Sequence, residues 1–137
     1  MTFAVHEIGE DRAIEAEAPV LRLPPSQARL AHARGRAVFV DLRMAQEMKR
    51  TGIIPGAFPC PHGLTDLWIG PGSPVSSTGP ADEKIFVFCC GNGLHAPQAA
   101  QSARHMGLRQ VFVLDGGMDA WLAGGGSVAA LDQQQVH

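Results

Sequence analysis

The segment IFVFCCGNGLHAPQAA, residues 85–100, combines the features that decide the fold. It begins with an apolar run of β-branched and aromatic residues, which is typical of a buried strand. Two adjacent cysteines end that run, a loop with two glycines follows, and a helix is predicted from Ala96, with Pro97 tolerated in its first turn. The segment is therefore predicted to be a strand–loop–helix unit, with Cys90 directly after the strand.

The same alternation continues on both sides of this segment. Strands are predicted for AVFVDLR (37–43) and QVFVLDGG (110–117), because both contain short apolar runs rich in β-branched residues. Helices are predicted for 24–36, capped by Ser26 and ending near Gly35, and also for 44–52 and 118–126. Residues 53–63 read as a proline-stiffened loop, 64–70 as a helical turn and 71–84 as a polar loop. Strands that alternate with helices indicate an α/β fold with a mainly parallel sheet.

Composition excludes several classes of protein. The 137 residues are enough for one domain, and 45% hydrophobic with 18% charged residues indicates a folded chain. A net charge of −2 gives no electrostatic reason to expect nucleic acid or an anionic membrane as partner. No apolar run is long enough to span a bilayer, and the N-terminus lacks a signal-peptide pattern, so a cytoplasmic location is expected. Three cysteines in such a chain are expected to be reduced thiols.

Cys90 occupies a position suited to nucleophilic chemistry. Ligands of parallel α/β sheets bind beyond the carboxyl ends of the strands, which is where Cys90 lies in the predicted fold. Gly91 and Gly93 can take positive φ angles and let the backbone approach a ligand closely. Successive loop amides and the helix N-terminus behind them favour an anion, and thus a thiolate. Cys89 is predicted to point to the opposite face of the sheet and, like Cys60, to be core filler.

Four motifs together resemble a known family. The segments VFVDLR, TGIIPGAFPCPHG, IFVFCCGNGLH and AAQSARHMGLRQVFVLDGGMDAWLAGG are similar in order and spacing to single-domain rhodaneses, over roughly residues 22–128. The resemblance implies a rhodanese-like three-layer fold, with a mainly parallel sheet flanked by helices. It also implies a sulfurtransferase, in which a cysteine thiolate takes a sulfane sulfur as a persulfide and passes it to a nucleophile.

The resemblance assigns roles to particular residues. Cys90 corresponds to the nucleophile, and His62 lies at a second substrate-binding position. The loop that holds the persulfide corresponds to Gly91, Asn92, Gly93, Leu94, His95 and Ala96. No cofactor is expected beyond the covalent persulfide on Cys90. The expected partners are a small-molecule sulfane sulfur donor and a thiol or protein acceptor, and the expected assembly is a monomer or homodimer.

Two further features qualify this interpretation. Asp41 and Arg43 match an Asp-x-Arg motif of the family and are predicted to form a structural ion pair. Many active members have arginine and serine where this chain has His95 and Ala96, and a close subgroup has arginine at His62. Arginine is always charged and binds oxyanions through two hydrogen bonds, whereas imidazole is mostly neutral near pH 7.5, so use of thiosulfate is in question.

The sequence leaves several alternatives open. One is a rhodanese-like binding or regulatory module whose loop has lost its activity. A second is a phosphatase or arsenate reductase, although those reactions favour an arginine at the end of the loop, where this chain has His95. A metal site formed by Cys60, His62, Cys90 and His95 is disfavoured by their spacing. Residues 1–20 are predicted to be an N-terminal arm, 21–128 the domain and 129–137 a C-terminal tail.

Overall fold

The computed structural model describes residues 18–61 and 84–131. Strands alternate with helices along this part of the chain, as the sequence pattern predicts. In chain order the elements are β1 (Leu21–Leu23), α1 (Pro25–Ala33), β2 (Ala37–Asp41), α2 (Ala45–Thr51), β3 (Phe58–Pro59), β4 (Ile85–Cys89), α3 (Ala96–His105), β5 (Val111–Leu114) and α4 (Gly117–Ala123).

The five described strands form one sheet in the order β1-β5-β4-β2-β3, and every pairing in it is parallel. Strand β4 is central, and its register aligns Cys89 with Asp41 of β2. Because β4 has neighbours on both edges and helices over both faces, nearly all of its side chains are buried. Its continuous apolar sequence follows from that position.

Successive side chains of β4 enter two separate cores, since neighbours along a strand point to opposite faces. Val87 and Cys89 pack with Met118 and Trp121 of α4 on one face. Helices α1 and α2 contribute to the same face through Ala28 and Met48. On the other face Phe86, Phe88 and Cys90 pack against the small side chains of α3, which are Ala96, Ala100 and Ala103. The chain therefore has the predicted three layers.

The structure corrects three details of the predicted elements. Ser26 does not cap α1, because the helix begins at Pro25 and Pro24 takes the N-cap position without a side-chain hydrogen bond. Strand β1 lies at one edge of the sheet, in a segment for which no strand is predicted. Strand β3 lies at the other edge, within the predicted proline-stiffened loop. Both edge strands are too short, at three and two residues, to produce a periodic pattern.

Packing continues beyond the predicted domain boundary at residue 128. Ala129 forms an antiparallel bridge with Ile53, and Leu131 is buried in the core that also contains Trp121. The predicted arm up to residue 17, the helical turn at 64–70 and most of the polar loop lie outside the described residues, as does His62. Among the described helices, none has the length and apolar character needed to cross a membrane.

Candidate active site

Cys90 lies at the carboxyl end of the central strand, one residue beyond Cys89. Its side chain is only 4% exposed, yet it lines a cleft of about 610 Å³. Gly91, Asn92 and His95 line the same cleft, so the structure brings four of the predicted site residues together. The thiol is thus shielded from bulk solvent but open to a ligand bound in the cleft.

The loop after Cys90 is fastened from behind by the first turn of α4. The N–H of Met118 donates to the carbonyl of Cys90 at 2.8 Å, and the N–H of Asp119 donates to the carbonyl of Gly91 at 2.9 Å. In a planar trans peptide the carbonyl and the N–H point in opposite directions. The amides that follow these two carbonyls, those of Gly91 and Asn92, therefore point away from α4. Neither amide has a hydrogen-bond acceptor within the described part of the chain.

One loop amide already contacts the thiol. The N–H of Gly93 donates to Sγ of Cys90 at 3.2 Å, and Gly93 has the predicted positive φ of 88°. Gly91, by contrast, is not among the residues with positive φ. The amide of Leu94 is occupied by Oδ1 of Asn92 at 3.0 Å. The structure therefore shows a cradle in which part of the loop, rather than all of it, faces the sulfur.

The other predicted loop residues have different surroundings. The side chain of Leu94 is 70% exposed and does not line the cleft. Ala96 is fully buried against the sheet as the first residue of α3. His95 precedes that helix at its N-cap, makes no side-chain capping bond, and is exposed at the cleft. Of the loop side chains beyond Cys90, only those of Asn92 and His95 can contact a ligand directly.

Gly117 completes the cradle. In the sequence it is only one residue of the LDGGMDAW segment, with no role assigned to it. Its φ is +64°, and a Cβ added there would lie 2.6 Å from the backbone nitrogen of Gly93 and 2.7 Å from the carbonyl oxygen of Gly91. Such a Cβ would lie closer still to the carbonyl oxygen of Cys90. Only a residue without a side chain allows α4 to approach the loop this closely.

The predicted ion pair lies beside the strand end that carries the thiol. Nε and Nη2 of Arg43 donate to the two carboxylate oxygens of Asp41, with the shortest distance 2.8 Å, and both residues are buried. Arg43 also donates to Oγ1 of Thr51 at 2.7 Å and to the carbonyl of Gly52 at 2.8 Å. Burial opposes the charge of Arg43, but its hydrogen bond to Asp41 and the nearby negative charge raise its pKa overall. The pair ties the end of β2 to α2.

Arg43 reaches the edge of the cleft, but its charge is already matched by Asp41. Two carboxylates line the same cleft, Glu47 from α2 and Asp119 from α4. Both lie far from Cys90 in sequence, and only the fold brings them to the thiol. The sequence pattern contains no signal for either residue, because an acidic residue in the first turn of a helix is ordinary.

The remaining thiols have other roles. Cys89 is fully buried, and its Sγ contacts the carbonyl of Val40 at 3.5 Å. Burial, and then the charge of Asp41, raise the pKa of Cys89 well above its usual value, so this thiol stays protonated near neutral pH. Cys60 is also fully buried, in the same core as Cys90. Within residues 18–61 and 84–131, no three His, Cys, Asp or Glu side chains are grouped as metal ligands would be.

The comparisons with known proteins agree with this architecture. A structure from Rhodopseudomonas palustris, of a protein of unknown function described as a possible tyrosine phosphatase, is 34% identical with a TM-score of 0.70. The match covers 94% of this chain and 99% of that one. A rhodanese-related protein from Thermoplasma volcanium shares the fold at 18% identity and a TM-score of 0.59, over 80% of this chain and 97% of that one.

A thiosulfate sulfurtransferase from Pseudomonas aeruginosa also shares the fold. It is 23% identical with a TM-score of 0.62, and the match covers 83% of this chain but only 20% of that longer protein. The family model described as the rhodanese-like domain matches residues 25–124. That range begins with α1 and ends just after α4, and so contains the cysteine loop and the helix α4 that donates hydrogen bonds to it. The chain belongs to the rhodanese-like domain family.

Proposed function

We propose that this protein is a sulfurtransferase that carries a sulfane sulfur on Cys90. The observation that carries the proposal is the N–H of Gly93, which donates to Sγ of Cys90 at 3.2 Å inside a cleft at the end of the central strand. A backbone amide aimed at the sulfur stabilises its thiolate, which is the reactive form. The amides of Gly91 and Asn92, which have no acceptor among the described residues, lie on the same loop and suit a persulfide, whose negative charge resides on the outer sulfur.

The reaction balances without a cofactor. The Cys90 thiolate attacks the outer sulfur of a donor R–S–SH, a new S–S bond forms, and the old S–S bond breaks to release R–S⁻. Cys90 then carries the persulfide –S–SH. In the second step an acceptor thiolate R′–S⁻ attacks the outer sulfur, takes it as R′–S–SH, and returns the Cys90 thiolate.

A phosphatase is the alternative, because the R. palustris neighbour is described as a possible tyrosine phosphatase. Transfer of a phosphoryl group needs positive charge around the equatorial oxygens. In this cleft the guanidinium of Arg43 is engaged by Asp41, and the neighbouring side chains of Glu47 and Asp119 are acidic. This charge distribution favours sulfur transfer over phosphoryl transfer. We therefore expect no detectable hydrolysis of p-nitrophenyl phosphate.

The experiment that tests the proposal is mass spectrometry of the intact protein after treatment with inorganic polysulfide, followed by peptide mapping. We expect one added sulfur on Cys90 in the wild type and in Cys89→Ser. We expect none at that position in Cys90→Ser. Cys89→Ser is the matched control, because it alters the adjacent thiol on the opposite face of the sheet. A folded wild-type protein that takes up no sulfur at Cys90 would favour the alternative of an inactive binding module.

A further inference from the structure

The cleft around Cys90 has an unbalanced negative charge. Among the described residues its charged side chains are Arg43, Glu47 and Asp119, beside the imidazole of His95, and the charge of Arg43 is matched by the buried carboxylate of Asp41. Two carboxylates are therefore left without a matching cation among the described residues of the cleft, beside a thiol that is itself anionic when it reacts. A ligand whose reacting atom meets the loop amides therefore has two negatively charged side chains beside it in the cleft.

Glu47 lies near Gly91, the residue that follows Cys90. It lies in the first turn of α2, and its side chain is partly buried. Its Oε2 would be 3.8 Å from a Cβ built on Gly91, the residue next to Cys90. The carboxylate thus lies against the near edge of the cradle. A partly buried carboxylate interacts with a ligand charge more strongly than a fully solvated one.

Asp119 approaches from the other side of the loop. Its backbone N–H donates to the carbonyl of Gly91 at 2.9 Å, which fixes the position of its Cα relative to the cradle. The side chain is exposed at the cleft. Glu47 and Asp119 therefore both lie near Gly91 and come from two different helices.

We propose, on the basis of the sulfur transfer described above, that Glu47 and Asp119 are specificity-determining residues that select acceptor thiols bearing a positive charge. An ammonium group two carbons from the attacking sulfur can lie beside a carboxylate while the sulfur reaches the persulfide on Cys90. A carboxylate at the same place in the acceptor is repelled. The same field disfavours dianionic thiosulfate as a donor.

Three acceptors that share a two-methylene spacer differ in the charge of their end group: cysteamine is cationic, 2-mercaptoethanol neutral and 3-mercaptopropionate anionic. Cys90 is first loaded with inorganic polysulfide, and loss of the added sulfur is then followed by intact mass at several acceptor concentrations. Rates are expressed per thiolate, because the three thiols ionise to different extents. The measured quantity is the ratio of the rate with cysteamine to the rate with 3-mercaptopropionate.

The variants are Glu47→Gln and Asp119→Asn. Asp115→Asn is the control for overall charge, because this exposed carboxylate follows β5, does not line the cleft, and lies 3.9 Å from Arg22, which donates to the carbonyl of Gly93. Even at about 8 Å in a water-like dielectric, a carboxylate changes the rate for a charged acceptor by a little more than a factor of two. The effect is opposite for cysteamine and 3-mercaptopropionate, so their ratio changes by the square of this factor, about fivefold. We expect the ratio to fall about fivefold in Glu47→Gln, by less in the more exposed Asp119→Asn, and to stay unchanged in Asp115→Asn. Added salt is expected to reduce the wild-type ratio.

The outcomes separate the two proposals. If Cys90 takes no sulfur from polysulfide, the proposed function itself fails. If Cys90 is loaded but the ratio is the same in wild type, Glu47→Gln and Asp119→Asn, sulfur transfer stands and charge selection is refuted. An equal fall in Asp115→Asn would also refute it, because the effect would then come from the overall charge of the protein.

Discussion

Replacement of Gly117 by alanine tests whether close contact between α4 and the loop maintains the cradle. The added Cβ would lie 2.6 Å from the nitrogen of Gly93 and 2.7 Å from the oxygen of Gly91. Both contacts are with backbone, which cannot rotate out of the way as a flexible side chain can. The loop and α4 must therefore move apart, and this movement acts on the hydrogen bonds that Met118 and Asp119 donate to the loop carbonyls.

The magnitude follows from two separate terms. A non-glycine residue in the left-handed region costs about 1–2 kcal/mol, and Gly117 has a φ of +64°. Overpacking of a tight contact costs about 1–3 kcal/mol more. We therefore expect Gly117→Ala to lower the free energy of unfolding by about 2–5 kcal/mol. The matched control is Gly35→Ala, because Gly35 has a φ of +68° and open space where the Cβ would go, so only the first term applies.

The assay has two readouts. Urea unfolding compares the stabilities of the two variants, and the rate of sulfur loading on Cys90 reports the geometry of the cradle. We expect Gly35→Ala to lose about 1–2 kcal/mol and to load sulfur at the wild-type rate. We expect Gly117→Ala to lose more and, under conditions where it is still folded, to load slowly. If the two variants are equally stable and load equally fast, the contact between α4 and the loop does not maintain the cradle.

Three further predictions concern buried groups. Arg43→Leu leaves the carboxylate of Asp41 buried and unpaired, so we expect the free energy of unfolding in urea to fall by about 3–5 kcal/mol. The double variant with Asp41→Leu should recover much of this free energy. A further, additive loss in the double variant would contradict a buried ion pair. Burial raises the pKa of Cys89 in the folded protein above its unfolded value of about 8.5. The neutral thiol therefore contributes fully to stability below about pH 8.5, and this contribution is lost as the pH rises through the folded pKa. Stability should therefore fall by up to about 1.4 kcal/mol per pH unit more in wild type than in Cys89→Ser above pH 8.5, and parallel curves would show that Cys89 does not titrate in this way. Cys60 follows β3 and Cys90 follows β4, with β2 between them, so two strand spacings of about 4.8 Å place them beyond the reach of a disulfide; non-reducing peptide mapping after oxidation should show no Cys60–Cys90 linkage.

The central part of the fold could be predicted from the sequence because its signals are local. The apolar runs of β2, β4 and β5 are the sequence of strands buried on both faces, and the helix after Cys90 begins at Ala96 as predicted. The alternation of side chains along a strand is also local, and it places Cys89 and Cys90 on opposite faces, as the structure shows. The pairing of Asp41 with Arg43 is similarly local, because only Leu42 separates them along the chain.

The surroundings of the thiol depend on contacts between residues that are distant in sequence. Nothing near Gly117 in the sequence indicates that its missing side chain makes room for the loop, because that loop begins 27 positions earlier at Cys90. Glu47 and Asp119 look like ordinary acidic residues at helix starts until the sheet order β5-β4-β2 brings α2 and α4 to the same cleft. A long buried strand or a helix is specified mainly by neighbours along the chain and can be predicted from them, whereas the short edge strands β1 and β3 and the cap of α1 could not. The charge of a cleft is the sum over side chains that only the packing of the sheet and its helices brings within a few ångströms of each other.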